Sequence, residues 1–239
     1  MTTNALPRIA IIGLGYVGWP LARAFATEYD VVGYDHNQQR VDELRRGYDR
    51  NRQTDDPAPV RLLLTAEADD IADCQVFVVT VPTPVDAAKR PDLRPLLAAT
   101  QLVGYYLKRG DIVIYESTVY PGCTEEDCVP VLEAVSGMRY NEDFYCGYSP
   151  ERISPGDTVH TLQTIIKVTA GSTPDVAAFV DALYASIVPA GTYRAPSIRV
   201  AEAAKAIENA QRDVNISFMN ELALLFDRMG LDTTDVLDA

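Results

Sequence analysis

In the stretch RIAIIGLGYVGWP, Arg8 to Pro20, three glycines fall within six residues directly behind an apolar run. Gly13, Gly15 and Gly18 form GxGxxG, and Asp35 stands 22 residues after Gly13, at the end of the next apolar run. Each part of that pattern has a task at a diphosphate. Gly13 permits a tight turn, Gly15 lets the backbone approach the pyrophosphate, and Gly18 allows the following helix to pack closely on the strand. Free amides of the loop, with Tyr16 and Val17 counted among the cofactor-binding residues, and the positive end of the helix then stabilise the anion. Asp35 is placed to accept both hydroxyls of an adenosine ribose and to repel a 2'-phosphate, which favours NAD over NADP. Arg40, about one helical turn further on, is expected to flank the adenosine half.

The remaining reactive residue types narrow the chemistry. Only two histidines, His36 and His160, accompany four cysteines, Cys74, Cys123, Cys128 and Cys146, and no CxxC pair occurs, so no metal site is expected. The thiols are read as small buried or half-buried side chains, although Cys123 and Cys128 are spaced so that they could in principle bridge. Acid, base and nucleophile roles therefore fall mainly to Lys, Glu, Asp, Thr or Cys. With 21 Lys and Arg against 34 Asp and Glu the formal charge is −13, which repels a polyanion over most of the surface, so nucleic acid is not an expected partner. No run approaches the roughly 18 apolar residues of a membrane span, and Met1 to Ala5 lacks the features of a signal peptide, so the chain is expected in the cytoplasm, away from the membrane.

Short β-rich runs alternate with helical periodicity through most of the 239 residues, the pattern of βαβ units around a parallel sheet. Strands are expected at Ile9 to Ile12, Val31 to Tyr34, Val76 to Val81, Ile112 to Tyr115, Tyr145 to Tyr148 and, more weakly, Ile165 to Val168. Helices fit at Val17 to Glu28, at Gln38 to Arg46 between an Asn37 cap and a Gly47 stop, at Pro95 to Lys108 stopped by Gly110, and from Pro174 to about Ile187. Asp49 to Pro59, polar and proline-bearing, reads as an irregular surface excursion. From Arg199 no proline or glycine occurs until Gly230, which predicts one long helix that joins two domains or carries a subunit interface. The fold class is α/β: a Rossmann-like, doubly wound parallel sheet followed by a long central helix. Residues 1–198 read as the NAD-binding domain, 199–230 as the connecting or dimerisation helix, and 231–239 as the start of a further region. A capped helix at Thr233 or Thr234 stops at Ala239 with Val236 and Leu237 unpartnered, so the chain is expected to be a fragment of a longer protein.

The glycine loop, VPTP at Val81 to Pro84, ESTVYPGCT at Glu116 to Thr124, GYSPERISPGD at Gly147 to Asp157 and AEAAKAIENAQRDVN at Ala201 to Asn215 together resemble the UDP-glucose/GDP-mannose dehydrogenase family along essentially the whole chain. YSPERISPGD and ENAQRD are most similar to the branch that oxidises UDP-N-acetylhexosamines, such as UDP-N-acetylglucosamine or UDP-N-acetylgalactosamine. The resemblance implies a four-electron oxidation in polysaccharide precursor synthesis, in which the C6 hydroxymethyl becomes a carboxylate at the expense of two NAD and one water. It implies that Thr83 lies along the nicotinamide half of NAD and that Thr118, also near the cofactor, holds a catalytic water. Glu151 is implied as the base or orienter of that water or of the sugar. Lys205 and Asn209, four apart on one helix face, are implied to meet a shared oxyanion. Arg152 and Arg212 are implied near substrate phosphate or the N-acetyl group, Glu116 as a structural support, and Trp19 as altered packing where the family usually has a smaller aliphatic residue. A homodimer through the long helix is implied as well.

The family's cysteine nucleophile sits in a glycine-rich segment with His-Cys and a following aspartate, which this sequence does not contain, and the second, uridine-binding domain has no counterpart here either. The chain as given is therefore expected to lack full activity. Two other readings stay open: a two-electron β-hydroxyacid dehydrogenase, which also uses Lys and Asn four apart on a helix, and a non-catalytic NAD-binding, dimerising module.

Overall fold

Strands buried on both faces need apolar residues at every position, and the first strands of this chain supply them. In the computed structural model, which describes residues 6–51, 58–152, 162 and 164–239, β1 (Ile9–Ile12) and β4 (Val76–Val79) are buried throughout. With β2 (Val31–Tyr34), β3 (Leu62–Thr65), β5 (Ile112–Tyr115), β6 (Tyr145–Tyr148), β7 (Lys167–Gly171) and β8 (Thr192–Arg194) they form an eight-stranded sheet in the order β3-β2-β1-β4-β5-β6-β7-β8. The first six strands in that order are parallel; β7 runs antiparallel to β6, and β8 is parallel to β7.

Alternate side chains of each strand feed two cores. Ala10, Ile12, Phe77, Val79, Val113 and Tyr115 face one side, where α3 (Arg94–Tyr106) and α4 (Val129–Ser136) pack. Ile9, Ile11, Val76, Val78, Ile112 and Ile114 face the other, covered by α1 (Gly18–Phe25), α2 (Gln38–Arg45) and α5 (Pro174–Ala185). Helix α6 (Ile198–Met229) spans 32 residues, with Ser197 as its cap and Gly230, at φ +70°, ending it; α7 (Thr233–Asp238) follows behind an Asp232 cap. Asn37 caps α2 as its position suggests, its side chain accepting the Arg40 N–H at 3.3 Å.

The α/β class and the long helix agree with the sequence; several details do not. β3 escapes because LLLT carries no β-branched residue before its last position, and β8 because it has three residues. Helix α4 is hidden by its Val-Pro-Val start and is entered through a wider turn at Thr124–Cys128. Gly110 does not stop α3: the helix ends at Tyr106 with Leu107 extended, and Gly110, at φ +89°, belongs to the turn that leads into β5. The weak strand begins at Lys167, two residues later than expected. The supposed surface excursion is anchored at its start, for Asp49 is 2% exposed; residues 52–57 lie outside the described residues, as do 1–5, 153–161 and 163, and with them the ISPGD part of the serine-proline motif and His160. All four cysteines are free and buried, so none is half-exposed and Cys123 and Cys128 are unbridged. Trp19, 1% exposed, fills the core beneath the glycine turn, with Arg23 stacked 5.4 Å from its ring.

Candidate active site

The turn after β1 has the geometry that a diphosphate needs. Gly13 adopts φ +96°, which favours glycine, and Gly18 lies so close to the turn that an added Cβ would sit 1.9 Å from the Gly13 carbonyl oxygen. Gly15 differs: a Cβ there meets nothing within 4 Å, so that side of the turn faces open space. No side chain caps α1; the Trp19 and Leu21 amides donate to the Gly15 and Val17 carbonyls and Pro20 has no N–H, which leaves the N–H groups of the glycine loop itself to meet an anion in that space. These features fit a pyrophosphate resting on Gly15 against the helix end. Asp35, one residue beyond β2, is aimed by two backbone amides: Leu14 N–H donates to Oδ2 and Asn37 N–H to Oδ1, both at 2.9 Å. A carboxylate accepts about four hydrogen bonds, which leaves lone pairs for two ribose hydroxyls.

Arg40 serves the turn from behind. It is 5% exposed and donates from Nε to the Leu14 carbonyl at 2.8 Å and from Nη2 to Asp49 at 2.7 Å, while its Nη1 has no hydrogen-bond partner among the described residues. The same arrangement explains why Asp49 is drawn inside.

At the carboxyl edge of the sheet, a cleft of ≈ 620 Å³ is lined by the glycine turn at Gly15, Tyr16 and Val17, by Thr83 and Thr118, by Glu116 and Glu151, and by Lys205, Asn209 and Arg212 from α6. Residues up to 197 positions apart in sequence thus share one wall system. The loops are tied together: the Thr83 hydroxyl donates to the Thr118 carbonyl at 2.6 Å, and Ser117 donates to the Val81 carbonyl at 2.6 Å. Asn51 also lines the cleft and was not foreseen.

Lys205 and Asn209 enter from the same face of α6, one turn apart. Lys205 is 8% exposed, and burial pulls its ammonium below the ordinary lysine range. Among the described residues no carboxylate lies within ion-pair distance of it. Tyr16 is pushed up by burial and by the nearby Glu151 carboxylate. Arg152 lies outside the cleft wall: it donates to Glu208 on α6 at 2.9 Å and fastens the loop after β6 to that helix. Arg212 reaches the same carboxylate at 3.3 Å while facing the cleft.

Four supporting residues were not singled out in the sequence. Glu202, fully buried on α6, accepts the amides of Gly122 at 2.5 Å and Thr124 at 2.9 Å, and so docks the PGC turn on the helix. Glu208 joins the two arginines. Lys167 and Tyr184 both contact Glu116. A signal existed for Lys167 alone, a single cation inside the apolar run IIKVTAG. Cys123, within the PGC turn, does not line the cleft; its hydrogen bond with Cys128 and its burial raise its thiol far above the ordinary range. Among the described residues no cluster of His, Cys, Asp and Glu is arranged to hold a metal, and no helix is long and apolar enough to cross a membrane.

A glycine turn that opens a helix beside the central strand of a 3-2-1-4-5-6 parallel sheet, with an acidic residue just beyond the second strand, defines a dinucleotide-binding protein of the Rossmann class. Residues 7–188 match the NAD binding domain of the UDP-glucose/GDP-mannose dehydrogenase family and residues 199–239 match its central domain; the chain belongs to that family, and its cofactor is NAD. It is 58% identical over 236 residues to the UDP-N-acetyl-D-glucosamine 6-dehydrogenase of Pseudomonas aeruginosa, covering 97% of this chain and 56% of that protein. It is 55% identical to the enzyme of the same name from Salmonella typhi, covering 97% of this chain and 55% of that protein. Among solved structures, the UDP-D-ManNAc dehydrogenase of Pyrococcus horikoshii superposes with a TM-score of 0.88 at 34% identity, over 97% of this chain and 56% of that one. The chain spans about half the length of the curated relatives it matches.

Proposed function

We propose that this chain is the NAD-binding and sugar-contacting part of an enzyme that oxidises the C6 hydroxymethyl of a UDP-N-acetylhexosamine, UDP-N-acetylglucosamine or UDP-N-acetylgalactosamine, to a carboxylate. The observation that carries this reading is the single cleft in which the glycine turn, Thr118, Glu151, Lys205 and Asn209 meet. The two-electron alternative explains Lys205 and Asn209 but gives no task to Thr118 and Glu151.

Bound NAD supplies the hydride acceptor for each of the two oxidation steps. The chain's own residues divide the remaining work. Glu151 takes the proton of the C6 hydroxyl or of water, directly or by orienting the water that the Thr118 hydroxyl holds. The Lys205 ammonium and the Asn209 amide face the oxygen that becomes negative, and a donor pre-set in a half-dry cleft stabilises that charge more than water does. Arg212 supplies a cation at the cleft rim for the substrate's phosphates or N-acetyl group, and Arg152 acts through Glu208. Thiol chemistry belongs to the length of the relatives that this chain does not span, because its own four cysteines are buried away from the cleft. By itself the chain then binds NAD and completes no oxidation.

Calorimetry with NAD and NADP, followed by counting NADH formed per UDP-N-acetylglucosamine consumed, tests this. NAD binds well ahead of NADP, the 239-residue chain forms no NADH, and a chain extended to the relatives' length forms two NADH per sugar. One NADH per substrate would support the two-electron alternative instead.

We also place residues 1–198 as the cofactor domain, 199–230 as a connecting and dimerising helix and 231–239 as the start of a further region, in a cytoplasmic homodimer engaged in polysaccharide precursor synthesis. Supporting the dimer is a stripe on α6: Ile207, Val214, Phe218 and Leu225 recur at helical spacing and are 68%, 64%, 61% and 48% exposed. Val214→Glu with Phe218→Glu should convert a dimer to a monomer by light scattering while NAD binding persists. An unchanged mass would remove this stripe from the interface.

A further inference from the structure

Lys167 is the first residue of β7, and the reversal of that strand decides what it meets. The antiparallel pairing sets Gly147 opposite Gly171 and Tyr148 opposite Ala170. Carried on to the start of β7, the same register places position 151, beyond the end of β6, opposite position 167. A lysine on a strand running with the others would start at the far edge of the sheet; on this one it starts beside the cleft.

Its side chain points inward. Lys167 is 2% exposed, yet its ammonium lies 2.8 Å from Glu116 Oε2 and 3.1 Å from Glu151 Oε2. Both carboxylates are cleft residues, and the ammonium between them is not. The Tyr184 hydroxyl, from α5, donates to the other oxygen of Glu116, and the Tyr184 ring lies 5.6 Å from the ammonium. The second oxygen of Glu151 accepts the Arg152 amide at 2.7 Å. Both oxygens of each glutamate therefore accept a hydrogen bond, the pattern of an ionised carboxylate held in one orientation. One buried cation serves two buried anions.

We propose that Lys167 is the residue that positions Glu151 in the cleft, binding its carboxylate and turning it toward Lys205, while Glu116 and Tyr184 fix Lys167 in place. The inference rests on the assignment of Glu151 to the site. Burial lowers the Lys167 ammonium and pushes the Glu116 carboxyl up, but for Lys167 the two carboxylates outweigh burial and its net shift is upward. Among the described residues, the charged and titratable groups facing this cluster include Tyr16 from the glycine turn, Tyr148 from β6, Tyr184 from α5, Arg152 beside Glu151 and Lys205 from α6. Among the described residues, the Lys167 ammonium is the group that bonds both glutamates. Without the Lys167 ammonium the pair takes up a proton at a pH where both are otherwise ionised.

The test is a 13C carboxyl NMR titration of the 239-residue chain, with Glu151 and Glu116 assigned by substitution, in wild type, Lys167→Met, Lys167→Arg and Glu116→Gln. In Lys167→Met the midpoint of the pair moves up by at least about one pH unit, and Lys167→Arg restores most of the shift. In Glu116→Gln the Glu151 midpoint falls, because a neighbouring negative charge is gone and the ammonium is no longer shared. This second variant decides the matter if Lys167→Met does not fold. A Glu151 midpoint unmoved in folded Lys167→Met, or in Glu116→Gln, overturns the proposal. The readout needs no turnover: expected shifts alongside an undiminished NADH rate for Glu151→Gln in an extended chain would overturn the functional reading while the ion triad stands.

Discussion

Replacing Gly18 by valine removes NAD binding from this chain, and the cause is steric rather than electrostatic. A Cβ at Gly18 lies 1.9 Å from the Gly13 carbonyl oxygen and 2.4 Å from Thr80 Oγ1, and that hydroxyl donates to the same carbonyl at 2.7 Å. The first turn of α1 must therefore lift off β1, opening the core that Trp19 and Phe25 fill. Overpacking of this kind costs about 1–3 kcal/mol, and more where backbone has to move, so the thermal midpoint falls together with affinity. Gly15→Ala separates the two effects. Its Cβ meets no protein atom, so the midpoint stays within about 2 °C of wild type, while NAD affinity drops by roughly tenfold or more because the methyl occupies the diphosphate's place. Calorimetric titration beside thermal melts checks both. A Gly15→Ala chain that binds NAD normally would show that the diphosphate does not rest there.

Lys205→Ala, in a chain extended to the relatives' length, lowers the rate of NADH formation by about 10²–10³-fold, the usual loss when one pre-set donor to an oxyanion is removed. The fall belongs mainly to kcat, because the interaction grows as the alkoxide forms. Lys205→Arg keeps the charge yet not the compact ammonium and recovers part of the rate. Burial lowers the Lys205 ammonium below the ordinary 10.5, and the charged form is the working one, so activity declines as pH rises through a midpoint below 10.5. Rate profiles to high pH test this, and a Lys205→Ala enzyme of normal rate would remove Lys205 from the reaction.

The residues that carry local information were legible from the sequence. GxGxxG and Asn37 act within a few positions of themselves, and Asp35 is marked by its spacing from the glycines, so turn, cap and spacing chemistry suffices to place them. The pairing of Lys205 with Asn209 follows from helix periodicity in the same way. Assigning tasks to Thr118 and Glu151 depended on the family resemblance, since neither residue type is distinctive in a loop. What stayed hidden was long-range: Lys167 acquires its meaning from the reversal of β7, and Glu202 from a turn 80 positions earlier. Arg40 has a second task that helix spacing alone does not reveal. It holds the Leu14 carbonyl and Asp49, a partnership that depends on how the chain after α2 folds back.

The reversed strands β7 and β8 also set a phase for the catalytic helix. Because β8 runs against the six parallel strands, the chain enters α6 at the opposite edge and the helix climbs toward the cleft at about 1.5 Å per residue. Lys205 thus stands roughly 10 Å above Ile198, Asn209 about 16 Å and Arg212 about 21 Å, each at a fixed angle around the axis. Losing one residue between Ser197 and Lys205 would turn all three by about 100° away from the cleft, whereas the same loss just beyond Arg212 would leave them aligned and rotate only Val214, Phe218 and Leu225 of the exposed apolar stripe. The cleft therefore depends on the residue count from Ile198 to Arg212, about four turns, and not on the length of the helix beyond it.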